Sequence, residues 1–86
     1  MRTREQLRGN KNIAGLRIEY LRKEQGLRQK DILDSLEMQG ISMTGSVLSK
    51  IEGGHRAICD FELLAIANAL GVSPDDLLGG GAVYGK

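Results

Sequence analysis

Apolar residues recur every three or four positions along most of this chain, and glycines or capping residues separate the apolar stretches. That period predicts amphipathic helices, and no stretch shows the apolar–polar alternation of a strand. The sequence therefore predicts an all-α fold of five short helices, over residues 12–25, 29–37, 45–53, 61–70 and 74–78.

Each of the first four predicted helices has an apolar side that we expect to face a single core. These sides comprise Ala14, Ile18 and Leu21; Ile32, Leu33 and Leu36; Leu48 and Ile51; and Leu63, Leu64, Ala67 and Leu70. In the connector after the second helix, Ile41 and Met43 are also predicted to point inward.

Residues that favour helix ends support these boundaries. Asn12, Thr44 and Asp60 stand where an N-cap is expected, and Gly26 stands where a left-handed residue would end the first helix. Ser73–Asp76 combines a serine cap, a proline in the first turn and two acids at the positive end of the helix dipole.

The termini differ in composition from the middle of the chain. We expect a basic, flexible N-terminal arm over residues 1–11, a folded domain over 12–78 and a flexible, glycine-rich tail over 79–86. The N-terminus lacks the apolar core of a secretory signal, and no run of about 18 apolar residues occurs. The sequence therefore predicts a cytoplasmic protein with no membrane partner.

The charge is unevenly distributed. Residues 1–30 hold nine Lys and Arg against three acids, a net charge of +6, whereas residues 31–86 have a net charge of −5. This polarity fits a basic face for phosphates, although a solvated helix surface explains it as well. The arm, with Arg2, Arg4, Arg8 and Lys11, could follow a phosphate backbone, although a disordered, solvated terminus explains these residues as well.

The residue inventory argues against an enzyme, a metal site and a bound cofactor. The chain has one cysteine, Cys59, and one histidine, His55, too few for an internal disulfide or a His/Cys metal site. It has no glycine-rich phosphate loop and no arrangement of catalytic residues.

The most informative stretch is residues 27–56, where two short helices are joined by a compact turn. The second of these helices has a polar outer face, formed by Gly45, Ser46, Ser49 and Lys50, and an apolar inner face. A short helix with polar outer side chains and an unobstructed start can enter the major groove of DNA.

Residues 13–78 resemble the Cro and repressor helix-turn-helix proteins of the XRE family. The resemblance rests on an ordered set of pieces: Leu21-Arg22, Gly26-Leu27, Gln29, Leu48-Ser49-Lys50-Ile51-Glu52, Leu63-Leu64-Ala65-Ile66-Ala67, Ala69-Leu70-Gly71-Val72-Ser73 and Asp76-Leu77-Leu78. It implies a five-helix lambda-repressor-like domain from a bacterium or phage. It also implies that the chain binds double-stranded DNA and regulates transcription, most often as a repressor.

Two features depart from the family pattern. The connector over residues 36–43 is a few residues longer than the tight family turn, and the small residue of the second helix is replaced by Leu33. We expect these changes to alter how closely the second and third helices approach each other.

The resemblance assigns roles residue by residue. The base-facing residues would be Thr44, Gly45, Ser46, Ser49 and Lys50; the phosphate contacts would be Gln29, Arg28, Gly54, His55 and Arg56; and Arg22 and Glu52 would form a structural ion pair. Two assignments have alternatives: Lys50 could contact phosphate only, and His55 could be an exposed loop residue.

The resemblance also concerns protein partners. Family members usually bind DNA as homodimers, and the predicted dimer surface comprises Leu77, Leu78, Val83 and Tyr84, although the two leucines could instead close the core. A different function also fits the sequence: an antitoxin-like or regulator module that holds a partner protein and binds DNA weakly.

Overall fold

The computed structural model describes residues 9–79, which form five α-helices. These are α1 (Gly15–Glu24), α2 (Gln29–Met38), α3 (Gly45–Glu52), α4 (Asp60–Leu70) and α5 (Pro74–Leu77). No strand occurs within the described range, so the all-α prediction is confirmed. None of the helices in this range is both long and apolar enough to cross a membrane.

The five helices share one apolar core. Its members are Ala14, Ile18, Ile32, Leu36, Leu48, Ile51, Ala65, Ile66, Ala67, Leu70 and Leu77. α2 packs against α3 and α4, α1 packs against α3, α4 and α5, and α5 packs against α4. α3 is thus packed against α1 and α2 on its buried side.

The buried side of α4 differs from the predicted one. Leu64 is 52% exposed, whereas Ile66 is 0% exposed and Ala65 is buried as well. α4 contacts α1, α2 and α5, and three consecutive residues, 65–67, are buried, so its buried surface is broader than one stripe. Leu64 lies on the remaining side, and its predicted inward orientation was wrong.

Most of the predicted helix ends are observed. The Thr44 hydroxyl accepts a hydrogen bond from the Val47 N–H, and Gly26 has the left-handed φ of 72°. Ser73 and Asp76 cap α5 reciprocally. α4, however, begins at Asp60 itself, because the Glu62 carboxylate accepts the Cys59 N–H and makes Cys59 the cap.

The segment 9–11, predicted as part of a flexible arm, packs against the domain. The Gly9 N–H donates to the Gly53 carbonyl at 2.9 Å, and the Lys11 N–H donates to the Gly54 carbonyl at 2.8 Å. The domain therefore begins at or before Gly9 rather than at residue 12. The predictions for residues 1–8 and 80–86 lie outside the described residues.

Candidate nucleic-acid interface

α3 separates an apolar inner face from a polar outer face. Leu48 and Ile51 are fully buried, whereas Ser46, Ser49 and Lys50 are exposed. Positions i, i+3 and i+4 of a helix lie on one side, so these three polar residues share a surface. That surface offers hydroxyls and one ammonium group to solvent.

The N-terminal end of α3 is free of bulky side chains. Thr44 is exposed and caps the helix, and Gly45 follows it. A methyl group added at Gly45 would find Leu33 Cδ1 at 3.9 Å, an ordinary van der Waals contact. Leu33, the unusual large residue of α2, therefore packs beside the start of α3 without a clash.

Gln29, the first residue of α2, connects that helix to α3. Its Nε2 donates to Glu52 Oε1 at 3.0 Å, and its Oε1 accepts the Ser49 hydroxyl at 3.2 Å. These bonds place the N-terminus of α2, where helix N–H groups lack intrahelical acceptors, beside the outer face of α3. The Gln29 side-chain amide thus fixes α2 and α3 relative to each other.

Arg22 and Glu52 form a buried ion pair between α1 and α3. Arg22 Nε donates to Glu52 Oε2 at 2.7 Å and Nη2 donates to Oε1 at 3.0 Å. The Arg22 guanidinium also donates to the Leu27 carbonyl. The hydrogen bonds to Glu52 raise the pKa of Arg22 above its ordinary value, against the opposing effect of burial.

The turn after α3 is held by Asn12. Its Nδ2 donates to the carbonyls of Ile51 and Arg56, and its Oδ1 accepts the Gly15 N–H at the start of α1. Asn12 was predicted only as the N-cap of α1, a position that Ala14 occupies instead. Its bonds to the turn join residues some 40 positions apart, and no local pattern reports them.

Gly54 does not present its backbone N–H to solvent. That N–H donates to the Ile51 carbonyl, and the residue is buried beneath segment 9–11. The Gly54 N–H is therefore already bonded within the protein and not available for the phosphate contact that the resemblance implies. His55 next to it is exposed, although its ring packs over Gly53.

Two of the predicted phosphate contacts are already paired with carboxylates. Arg56 donates to Glu62 at 2.9 and 3.2 Å, and Arg28 Nη2 donates to Asp31 at 3.0 Å. These hydrogen bonds lower the pKa of Glu62 and of Asp31 and raise the pKa of both arginines. Glu62 as a partner of Arg56 was missed from the sequence, although its position in the first turn of α4 is a capping signal.

Ion pairs also reduce the predicted basic face. Lys23 pairs with Glu19, and Lys30 pairs with Asp34, on the exposed sides of α1 and α2. Lys50, in contrast, makes no ion pair with any residue of the described range. It is therefore the cation of the outer face that is most available to an anionic partner.

The described residues also show no cluster of His, Cys, Asp and Glu side chains that could hold a metal ion. The surface consists of hydroxyls, an amide and cations on a helix that is fixed from behind. These groups donate and accept hydrogen bonds and attract anions.

Comparison with known proteins agrees with this geometry. The sequence profile of the helix-turn-helix family HTH_3, of Cro/C1 type, matches residues 18–77, which include all of α2, α3, α4 and α5. A search of curated proteins finds no match to the chain. The chain therefore belongs to the Cro/C1-type (XRE) helix-turn-helix family, a family of DNA-binding domains and not of enzymes.

Proposed function

We propose that this protein binds double-stranded DNA sequence-specifically as a small transcriptional repressor, with α3 as its recognition helix in the major groove. The observation that carries the proposal is a pair of hydrogen bonds at Gln29, which accepts the Ser49 hydroxyl and donates to Glu52. They set a helix N-terminus beside an exposed polar helix face, as a groove-docked motif requires.

The proposed contacts fall into two groups. Those to base edges come from the outer face of α3, which is formed by Thr44, Gly45, Ser46, Ser49 and Lys50. Those to phosphates come from Gln29, His55, Arg28 and Arg56. Each of the two arginines is bound to a carboxylate in the free protein. On binding DNA, each arginine therefore either contacts a phosphate while it keeps its carboxylate partner, or releases the carboxylate and binds the phosphate instead.

The first test is binding to random duplex DNA over a salt series. A DNA-binding protein loses affinity linearly on a log–log plot, with a slope of roughly −0.9 for each phosphate that it neutralises. We expect a steep slope for this protein. No binding at low salt would overturn the proposal and favour the partner-protein function.

The same assay distinguishes a base contact by Lys50 from a phosphate contact. If Lys50 reads a guanine, Lys50→Ala weakens binding to the selected site far more than to random DNA; if it contacts phosphate, both affinities fall equally. Arg17→Ala is the matched control, because Arg17 donates to the Asp76 carbonyl within α5 and not to any residue of α3. We expect this control to leave the salt slope unchanged.

We further propose that the protein acts as a homodimer in the cytoplasm of a bacterium or of a phage-infected cell. Of the predicted dimer residues, Leu77 is 0% exposed and belongs to the core, whereas Leu78 is 38% exposed. Val83 and Tyr84 lie outside the described residues. Sedimentation of the protein with and without its DNA site tests this part, and a monomer in both conditions would contradict it.

Repression itself requires only that the protein occupies a site overlapping a promoter. A reporter gene behind such a site should fall in expression when the protein is present, and it should recover with Lys50→Ala. A rise in expression would contradict the repressor assignment while leaving DNA binding intact.

A further inference from the structure

A chain of directed hydrogen bonds ends at Ser49 on the outer face of α3. Arg22 donates to Glu52, the Gln29 side-chain amide donates to Glu52, and the Ser49 hydroxyl donates to Gln29. The chain starts at the buried ion pair, where Glu52 is 1% exposed. Its direction is fixed there, because a carboxylate accepts hydrogen bonds and donates none.

The orientation of the Gln29 amide follows from this. Turning the amide over would bring its oxygen against Glu52 Oε1, and two acceptors would then face each other with no proton between them. The Nε2 group must therefore face Glu52, 3.0 Å away, and the Oε1 atom must face Ser49. Because that oxygen only accepts, the one hydroxyl proton of Ser49 is committed to Gln29.

Ser49 is exposed, and with its proton committed it offers only lone pairs to a partner. In the major groove, the groups that donate are the amino groups at adenine N6 and cytosine N4, whereas guanine O6 and thymine O4 only accept. We propose that Ser49 is a specificity-determining residue that selects adenine or cytosine over guanine or thymine on the strand it faces. This inference rests on the proposed DNA-binding function.

Ser46 provides the contrast on the same face. Its side chain is exposed and makes no hydrogen bond to any described residue, so its hydroxyl can rotate to donate or to accept. A serine of this kind distinguishes bases poorly. The difference between two serines on one helix face therefore comes from Gln29 and not from the serines themselves.

The test is selection of bound sites from a random duplex library, followed by competition between duplexes that differ at one position. The wild-type protein, Ser49→Ala, Gln29→Ala and the control Ser46→Ala are compared. We expect one position where the wild type prefers adenine or cytosine by roughly fivefold, as for one neutral hydrogen bond. Ser49→Ala should abolish this preference, and Ser46→Ala should retain it.

Gln29→Ala gives the decisive result, because it leaves the Ser49 hydroxyl in place and frees its proton. We expect overall affinity to fall on every duplex and the adenine/cytosine preference to disappear. A preference for guanine or thymine, a preference that survives Gln29→Ala, or no position sensitive to Ser49→Ala would overturn the inference. Each of these results still includes DNA binding, so it is distinct from failure of the proposed function.

A measurement on the free wild-type protein keeps the inference testable if Gln29→Ala fails to fold. The two Nε2 protons of Gln29 give separate NMR signals. We expect one of them, bonded to Glu52, to exchange with solvent more slowly than the other. Equally fast exchange of both would overturn the amide orientation, and with it the assignment of Ser49 as an acceptor.

Discussion

Removing the Arg22 guanidinium should destabilise the fold far more than removing a surface charge would. The Arg22 and Glu52 side chains are 11% and 1% exposed, and their atoms approach to 2.7 Å. Arg22→Met leaves the Glu52 carboxylate buried, with Gln29 as its one remaining donor among residues 9–79. Breaking a buried pair in this way costs about 3–5 kcal/mol.

That cost is large for a chain of 86 residues. Domains have a free energy of unfolding of roughly 0.05–0.15 kcal/mol per residue, which gives about 4–13 kcal/mol here. In domains of this size, each kcal/mol corresponds to about 4–8 °C of melting temperature. Arg22→Met should therefore lower the melting temperature by more than ten degrees, or prevent folding altogether.

The double variant keeps the reasoning testable even if Arg22→Met does not fold, and the full double-mutant cycle gives the coupling free energy where both single variants fold. Replacing both partners, as in Arg22→Met with Glu52→Met, removes the stranded charge, and such replacements are often neutral or stabilising. We expect the double variant to be more stable than Arg22→Met alone in urea denaturation followed by circular dichroism. The coupling free energy should reach about 2 kcal/mol or more.

The control is the pair of Lys30 and Asp34, whose atoms are 2.9 Å apart but whose side chains are 69% and 57% exposed. Exposed pairs at this spacing contribute little, so their coupling should be close to the error of the measurement. A coupling for Arg22 and Glu52 no larger than that of the control would refute the argument from burial.

Two further predictions concern stability. Gly15→Ala should destabilise the fold, because an added methyl group meets the Ile51 carbonyl oxygen where α1 packs against α3. Gly45→Ala has room for the methyl group and should leave the melting temperature unchanged or slightly raised. Equal melting temperatures of the two variants would contradict this prediction. Arg56 holds the pKa of Glu62 below its ordinary value of 4.5, so the stability from this pair is present above that pH and is lost as the pH falls through the lowered pKa. Glu62→Gln should therefore flatten the loss of stability below pH 4.5, and a pH profile parallel to that of the wild type would show that the pair does not contribute.

The helices were predictable because their signals are local. Gly26 and Thr44 determine helix ends through their own backbone conformation or side chain, and the helical period does not depend on what packs on it. The error at Leu64 has a tertiary cause. A local period cannot show that α4 is enclosed by three other helices, which decides which of its leucines are buried.

The candidate site was predictable only in part, for a related reason. The outer face of α3 follows from the period of one helix, and the Arg22–Glu52 pair followed from the family resemblance. The bonds of Gln29 to Ser49 and of Asn12 to the turn after α3 depend on distances between separate elements. The burial of Gly54 likewise depends on segment 9–11, which packs over Gly54 only in the folded chain.

The outer face of α3 carries few long side chains, and this affects how the proposed complex would distinguish DNA sequences. Serine side chains are short, so in the proposed complex they reach the base edges only if the backbone of α3 lies close to the bases. Gly45 has no side chain that would keep the α3 backbone away from the bases. Close docking in turn demands that α3 keep a fixed position, which its bonds to Gln29 and Arg22 provide. Specificity then rests on the direction of a few hydrogen bonds and on groove shape, more than on long side chains.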